Sequence, residues 1–200
     1  MKRVAGIDEN GLGPVMGPLV VTGVLTEGNG SPPPVPGVQD SKRFFASRSR
    51  HTLGKLEEYA RAVFTIVQGR PAETPADFLS GACGNLGCEA ERNICRERLP
   101  EHFLWSTAED VSERADSIAG CMAQEHCVLR RIHCRVFCAR EINRLIAAGC
   151  SKSRIDFLGF AAVVRALEPE GTTFAAGKIG GMRSYGAFLA DEFPGWTIKH

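Results

Sequence analysis

Apolar and polar positions along this chain follow two periods, and the switches between them outline an alternating architecture. Residues 3–8 and 17–26 read as two strands of a hairpin, short apolar runs separated by a Gly/Pro-rich turn. Residues 27–37, from Glu27 to Gly37, carry four prolines and three glycines and read as a loop excluded from any sheet. Ser47 is placed to cap a short helix through Tyr59, and the β-branched run Ala62–Gln68 is predicted as a third strand. Ile132, Cys134, Val136 and Cys138 alternate as a half-buried strand does. Ile142, Leu145 and Ile146 then repeat at helical spacing before Gly149, a C-terminal stop signal. Arg154–Leu167 is predicted as a further helix closed by Pro169 and Gly171, Thr172–Ala176 as a strand, Tyr185–Phe193 as a helix, and Trp196–Lys199 as the start of a last strand. Strands first, then strand and helix in turn, indicate an α/β layer fold with a central mixed sheet flanked by helices.

Residues 70–127 break this rhythm. They hold Pro71, Pro75, Trp105 and many acids, with short helices expected around Leu86–Arg98 and Val111–Gln124. They read as a Cys-rich insertion within a single domain spanning 1–200. Of the eight cysteines, Cys83, Cys88 and Cys95 have four and six residues between them, and Cys121, Cys127, Cys134 and Cys138 lie in a second group. None forms the paired Cys-x-x-Cys spacing of a zinc ribbon, although His102, His126 and His133 lie nearby. Buried free thiols acting as small apolar side chains fit this pattern better than a metal site.

An apolar content of 44% is ample for a core. The net charge of +1 hides a local asymmetry, because Lys42, Arg43, Arg48, Arg50 and Lys55 occur with no acid until Glu57. Such a stretch suits phosphates, and equally a solvated helix face. The apolar run after Arg3 is broken at Asp8, which argues against a secretory leader, and no run approaches the roughly 18 apolar residues of a membrane span. The expected setting is the cytoplasm.

The chemistry concentrates near the start. Asp8 and Glu9 end the first apolar run and are followed by Gly11-Leu12-Gly13-Pro14 and Gly17-Pro18 before the second. Glycine lets the backbone approach a ligand that side chains elsewhere keep away. Neighbours in a strand point to opposite faces, so one of the two acids reaches a shared ion only through its carbonyl or a bend.

Residues 6–18 resemble the signature of type 2 ribonucleases H, in which Gly-x-Asp-Glu precedes Ala-Gly-Arg-Gly-Pro and a later Gly-Pro. Asp40-Ser41-Lys42 resembles the Asp-Ser-Lys element of the same family at a similar spacing. The resemblance is strong over about residues 4–68 and weak afterwards. It implies a ribonuclease H-like fold and metal-assisted cleavage of RNA in RNA/DNA hybrids, with Mg²⁺ or Mn²⁺ held by carboxylates at strand ends. On this resemblance Asp8 and Glu9 are the catalytic and metal-binding residues, Asp8 first. Gly11, Leu12 and Gly13 meet the 2′-hydroxyls of the strand being cut through their backbone, and Ser41 and Lys42 meet a phosphate. Asp40 orients Lys42 or caps the next helix.

Three departures stand out. Leu12 replaces the family's arginine, Gly177 occupies the position of its third carboxylate, and the fourth falls beyond His200. They leave two other readings open: a nucleic-acid-binding protein of the same fold with impaired catalysis, and a Cys-rich metal-binding protein. Three further features weigh less. Lys178–Tyr185 offers a glycine turn with flanking bases but reads as a plain strand-to-helix turn. Gly149–Ser153 lacks phosphate-loop spacing. Asp191 and Glu192 are the only acids after Gly177 and stand as candidate substitute ligands or as a solvated face.

Overall fold

The computed structural model describes residues 1–9, 18–29, 32–35, 37–38, 50–84, 99–167, 171–177, 191–194 and 197–199. β1 (Lys2–Glu9) and β2 (Leu19–Gly28) form the expected hairpin strands, antiparallel with Asp8 opposite Thr22. β3 (Cys127–Phe137) pairs antiparallel with β2 on its far side, and a register shift falls between Leu25 and Thr26. β4 (Thr172–Ala176) lies parallel to β1, and β5 (Thr197–Lys199) lies parallel to β4. The sheet order is β3-β2-β1-β4-β5. A three-stranded antiparallel meander extended by two parallel strands is the ribonuclease H-like fold expected from the sequence.

Five helices complete the described elements: α1 (Arg50–Gln68), α2 (Pro75–Cys83), α3 (Ala108–Gln124), α4 (Ala139–Ala147) and α5 (Lys152–Ala166). Because side chains alternate along β2, Val21 and Leu25 face one side of the sheet and Val20 and Val24 the other. The first side is covered by α5, whose Phe160, Val163 and Val164, with Leu167 at its C-terminal end, pack on Ala5, Ile7 and Phe174. Phe64 of α1 and Ala82 and Cys83 of α2 close the second, against Ile132 and Cys134 of β3. Burial on both faces explains why β2 reads as a nearly continuous apolar run rather than a clean alternation.

Two glycines bring α5 close to the sheet. A Cβ on Gly23 would lie 2.5 Å from Val163 Cγ1 and 2.6 Å from Leu167 Cδ1, and one on Gly159 would lie 2.5 Å from Val21 Cγ2. Helix and strand therefore meet where one of the two carries no side chain, which sets the height of α5 above β1 and β2. The stop read at Gly149 is a Schellman motif: Gly149 has φ of +87°, its N–H donates to Ile146 and the N–H of Cys150 donates to Leu145.

One predicted element is wrong in kind. Ala62–Gln68 is not a strand but the second half of α1. The β-branched run favours strand locally, yet helical spacing lets Ala62, Val63 and Ile66 face α3 while Phe64 and Val67 face the sheet. Burial on two sides of one helix outweighs propensities of a few tenths of a kcal/mol per residue. The helix over Val111–Gln124 is confirmed as α3, entered through a capping box of Thr107 and Asp110. The helix expected around Leu86–Arg98 lies outside the described residues, as do the Ser47 cap and most of Tyr185–Phe193.

Six cysteines are described, all free thiols, and Cys83, Cys127 and Cys134 are buried in the core as anticipated. Cys88 and Cys95 lie outside the described residues. Among the described residues no helix is long and apolar enough to cross a membrane.

Candidate active site

The end of β1 carries Asp8 and Glu9, beside the ends of β2 and β4. Ile7, one residue earlier, is anchored in the core under α5, so the strand delivers both acids at a fixed height. Asp8 Oδ1 accepts the Glu9 N–H at 3.0 Å, and the Asp8 carboxyl comes within hydrogen-bonding reach of the Glu9 carboxyl.

Burial pushes the Glu9 carboxyl up to about 7, helped by its hydrogen bond with Asp8 and by the charges of Asp156 and Asp8. Near neutral pH the Glu9 carboxyl is therefore divided between its protonated and charged forms.

Gly177 sits directly beside this pair. Its N–H donates to the Ile7 carbonyl at 2.7 Å, continuing the β1–β4 ladder by one residue. A Cβ there would lie 2.2 Å from Asp8 Oδ1 and 2.9 Å from Asp8 Cγ. The position aligned with a missing carboxylate is thus adjacent to Asp8 in space, and any side chain there forces Asp8 to rotate.

Sequence reasoning missed Asp156. It lies on α5 with the residue 0% exposed, and neither carboxylate oxygen has a hydrogen-bond partner among the described residues. Burial raises its pKa to about 6, and the nearby Asp8 carboxylate acts in the same direction. A signal was present: Asp156, Phe160, Val163, Val164 and Leu167 fall at i, i+4, i+7, i+8 and i+11, which places an acid on the apolar stripe of the helix. Among the described residues no three His, Cys, Asp or Glu side chains converge as ready-made metal ligands.

The other candidates are not brought here. Glu192 pairs with Arg165, about 13 Å along α5 from Asp156 at the helical rise, and Asp191 is exposed. Gly11, Leu12, Gly13, Asp40, Ser41 and Lys42 lie outside the described residues, as does Lys178–Tyr185. Of the basic stretch, Lys55 is described and is exposed on α1.

No protein-family model matches the chain. It is similar to the ribonuclease HII of Methanothermobacter thermautotrophicus, 48% identical over 65 residues, which are 32% of this chain and 31% of that protein. The ribonuclease HII of Methanococcoides burtonii is 29% identical over 119 residues, 56% of this chain and 52% of that one. That of Geobacillus thermodenitrificans is 36% identical over 63 residues, 32% and 23% of the two chains. The matches span about half, or less, of the length of these curated relatives. Among solved structures, the PCNA:RNase HII complex from Archaeoglobus fulgidus aligns over 98% of this chain and 62% of that chain, at 17% identity and a TM-score of 0.40. In sequence the chain is ribonuclease HII-like.

Proposed function

We propose that this ribonuclease HII-like chain hydrolyses the RNA strand of RNA/DNA hybrids in a reaction dependent on Mg²⁺ or Mn²⁺, with Asp8 and Glu9 as its first metal ligands. The observation that carries the reading is the contact between the Asp8 and Glu9 carboxyls at the end of β1, beside a β4 terminus that carries no side chain. The donors fit such a cation. They are all oxygen, as hard divalent ions require, and a cation beside them would favour the charged form of Glu9 that burial disfavours. A bound cation supplies activation of the attacking water and charge stabilisation at the leaving oxygen.

The chain's own groups supply position. The Glu9 N–H holds Asp8 in one rotamer, and the Ile7 anchor keeps both acids at the mouth of the site. Gly11, Leu12 and Gly13 would offer backbone contacts to the 2′-hydroxyls and Ser41 and Lys42 a phosphate contact, which rests on the sequence motifs alone.

Gly177 favours a second reading, in which the fold binds hybrid duplex and hydrolysis is lost. One assay separates the two: cleavage of a labelled RNA/DNA duplex with Mg²⁺ or Mn²⁺, with binding measured in parallel. Cleavage abolished by Asp8→Asn supports the enzyme. Binding without cleavage supports the second reading, and cleavage unaffected by Asp8→Asn overturns the site.

A further inference from the structure

We propose that Asp156 is a third carboxylate of the cation site, delivered from α5 in place of the side chain that Gly177 lacks at the end of β4. The inference rests on the metal-site reading of Asp8 and Glu9 and adds a ligand that neither sequence motif contains.

The first observation is energetic. An aspartate that is 0% exposed, with both oxygens unpartnered among the described residues, sits in an environment that penalises its charged form. Buried acids of this kind persist where something compensates them. Among the described residues no base does so: the neighbouring Arg154 guanidinium lies over the Phe157 ring, and Arg165 is held by Glu192. A divalent cation is the partner whose charge and oxygen preference match.

Placement is the second observation. Gly159, three residues along α5 from Asp156, packs on Val21, the β2 residue paired with Glu9, so α5 brings Asp156 to the same end of the sheet as the two acids of β1. α5 is held rigidly there, because Gly159 and Gly23 let helix and strand approach closely. Among the described residues the three groups do not converge as ligands. Ligation by all three requires their side chains to turn toward one another. Turning Asp156 breaks no described hydrogen bond, and turning Asp8 gives up the bond to the Glu9 amide and loosens its contact with the Glu9 carboxyl.

The test is Mn²⁺ titration of the full chain, read by the spectroscopic loss of free Mn²⁺ and by the rise in Tm. Wild type is compared with Asp8→Asn, Asp156→Asn and Asp156→Glu. Asp156→Asn should weaken Mn²⁺ binding about tenfold or more, and Asp156→Glu should restore part of it. Removing a buried charge should leave the metal-free fold intact, so lost affinity will not reflect unfolding. If Asp156→Asn binds Mn²⁺ as wild type does while Asp8→Asn does not, Asp156 is no ligand and the Asp8–Glu9 site stands. If Asp8→Asn leaves the affinity unchanged, or wild type takes up no Mn²⁺, the metal-site reading falls and Asp156 with it.

Discussion

Replacing Asp156 by asparagine should stabilise the metal-free protein at neutral pH and have much less effect in acid. The side chain is 0% exposed and its carboxyl is pushed from 3.8 up to about 6, first by burial and then by the Asp8 charge. An acid whose folded pKa lies above its unfolded value binds protons more tightly when folded. Its neutral form is therefore the stable one, and folding stability falls as pH rises from about 4 through 6 and levels off above. A shift of about two pKa units corresponds to about 3 kcal/mol, an upper figure for the penalty at pH 8. The asparagine side chain carries no charge at any of these pH values, so the variant escapes a penalty that wild type meets in full only above about pH 6. Its advantage in unfolding free energy should grow by about 2 kcal/mol between about pH 4.5 and about pH 8. At roughly 2 to 4 °C per kcal/mol for a domain of this size, that is a relative rise of several degrees in Tm. The assay is urea unfolding of both proteins across that pH range with EDTA present. An advantage that is the same at both ends, or a variant less stable at the alkaline end, would refute the claim that a buried, uncompensated charge sits at this position.

Three further outcomes are expected. Gly23→Ala should lower stability by about 1 to 3 kcal/mol, because the added methyl meets Val163 Cγ1 at 2.5 Å and Leu167 Cδ1 at 2.6 Å in a filled core; an unchanged denaturation midpoint would show that α5 can lift off the sheet. Gly177→Asp should raise hybrid cleavage in Mn²⁺ by restoring a carboxylate beside Asp8, at the cost of the bond from the Glu9 amide to Asp8; no gain in a variant that still folds and binds Mn²⁺ would dissociate position 177 from the chemistry. Lys42→Ala with Arg43→Ala should weaken hybrid binding at low salt and flatten the slope of log K against log salt by about 1 to 2, and an unaltered slope would remove the basic stretch from the interface.

Much of the fold follows from local pattern because local pattern was enough. The hairpin β1–β2, the strands β3 and β4 and the helices α4 and α5 each combine a clear period with a stop or cap that the backbone obeys. Gly149 ends α4 through its positive φ and Gly171 adopts one just before β4, both functions of a missing Cβ that is visible in any sequence. The failure at Ala62–Gln68 has the complementary cause. Whether Val63, Phe64 and Ile66 alternate or wind depends on what lies on either side of them, and α3 and the sheet are distant in sequence.

The candidate site divides along the same line. Asp8 and Glu9 were legible because a single strand end and the glycines after it sit close together in one short segment, so their chemistry is a property of that segment. Asp156 was not, since an acid on a helix is ordinary until the helix is known to be buried and its oxygens are known to lack partners. The adjacency of Gly177 to Asp8 is likewise the product of parallel pairing between strands far apart in the chain, which no local spacing encodes. Residue types and their periods set which elements form and which side chains are chemically capable. Only the packing of α5 and β4 against β1 decides which of those side chains share one small volume, because desolvation and charge repulsion act through space and take no account of order along the chain.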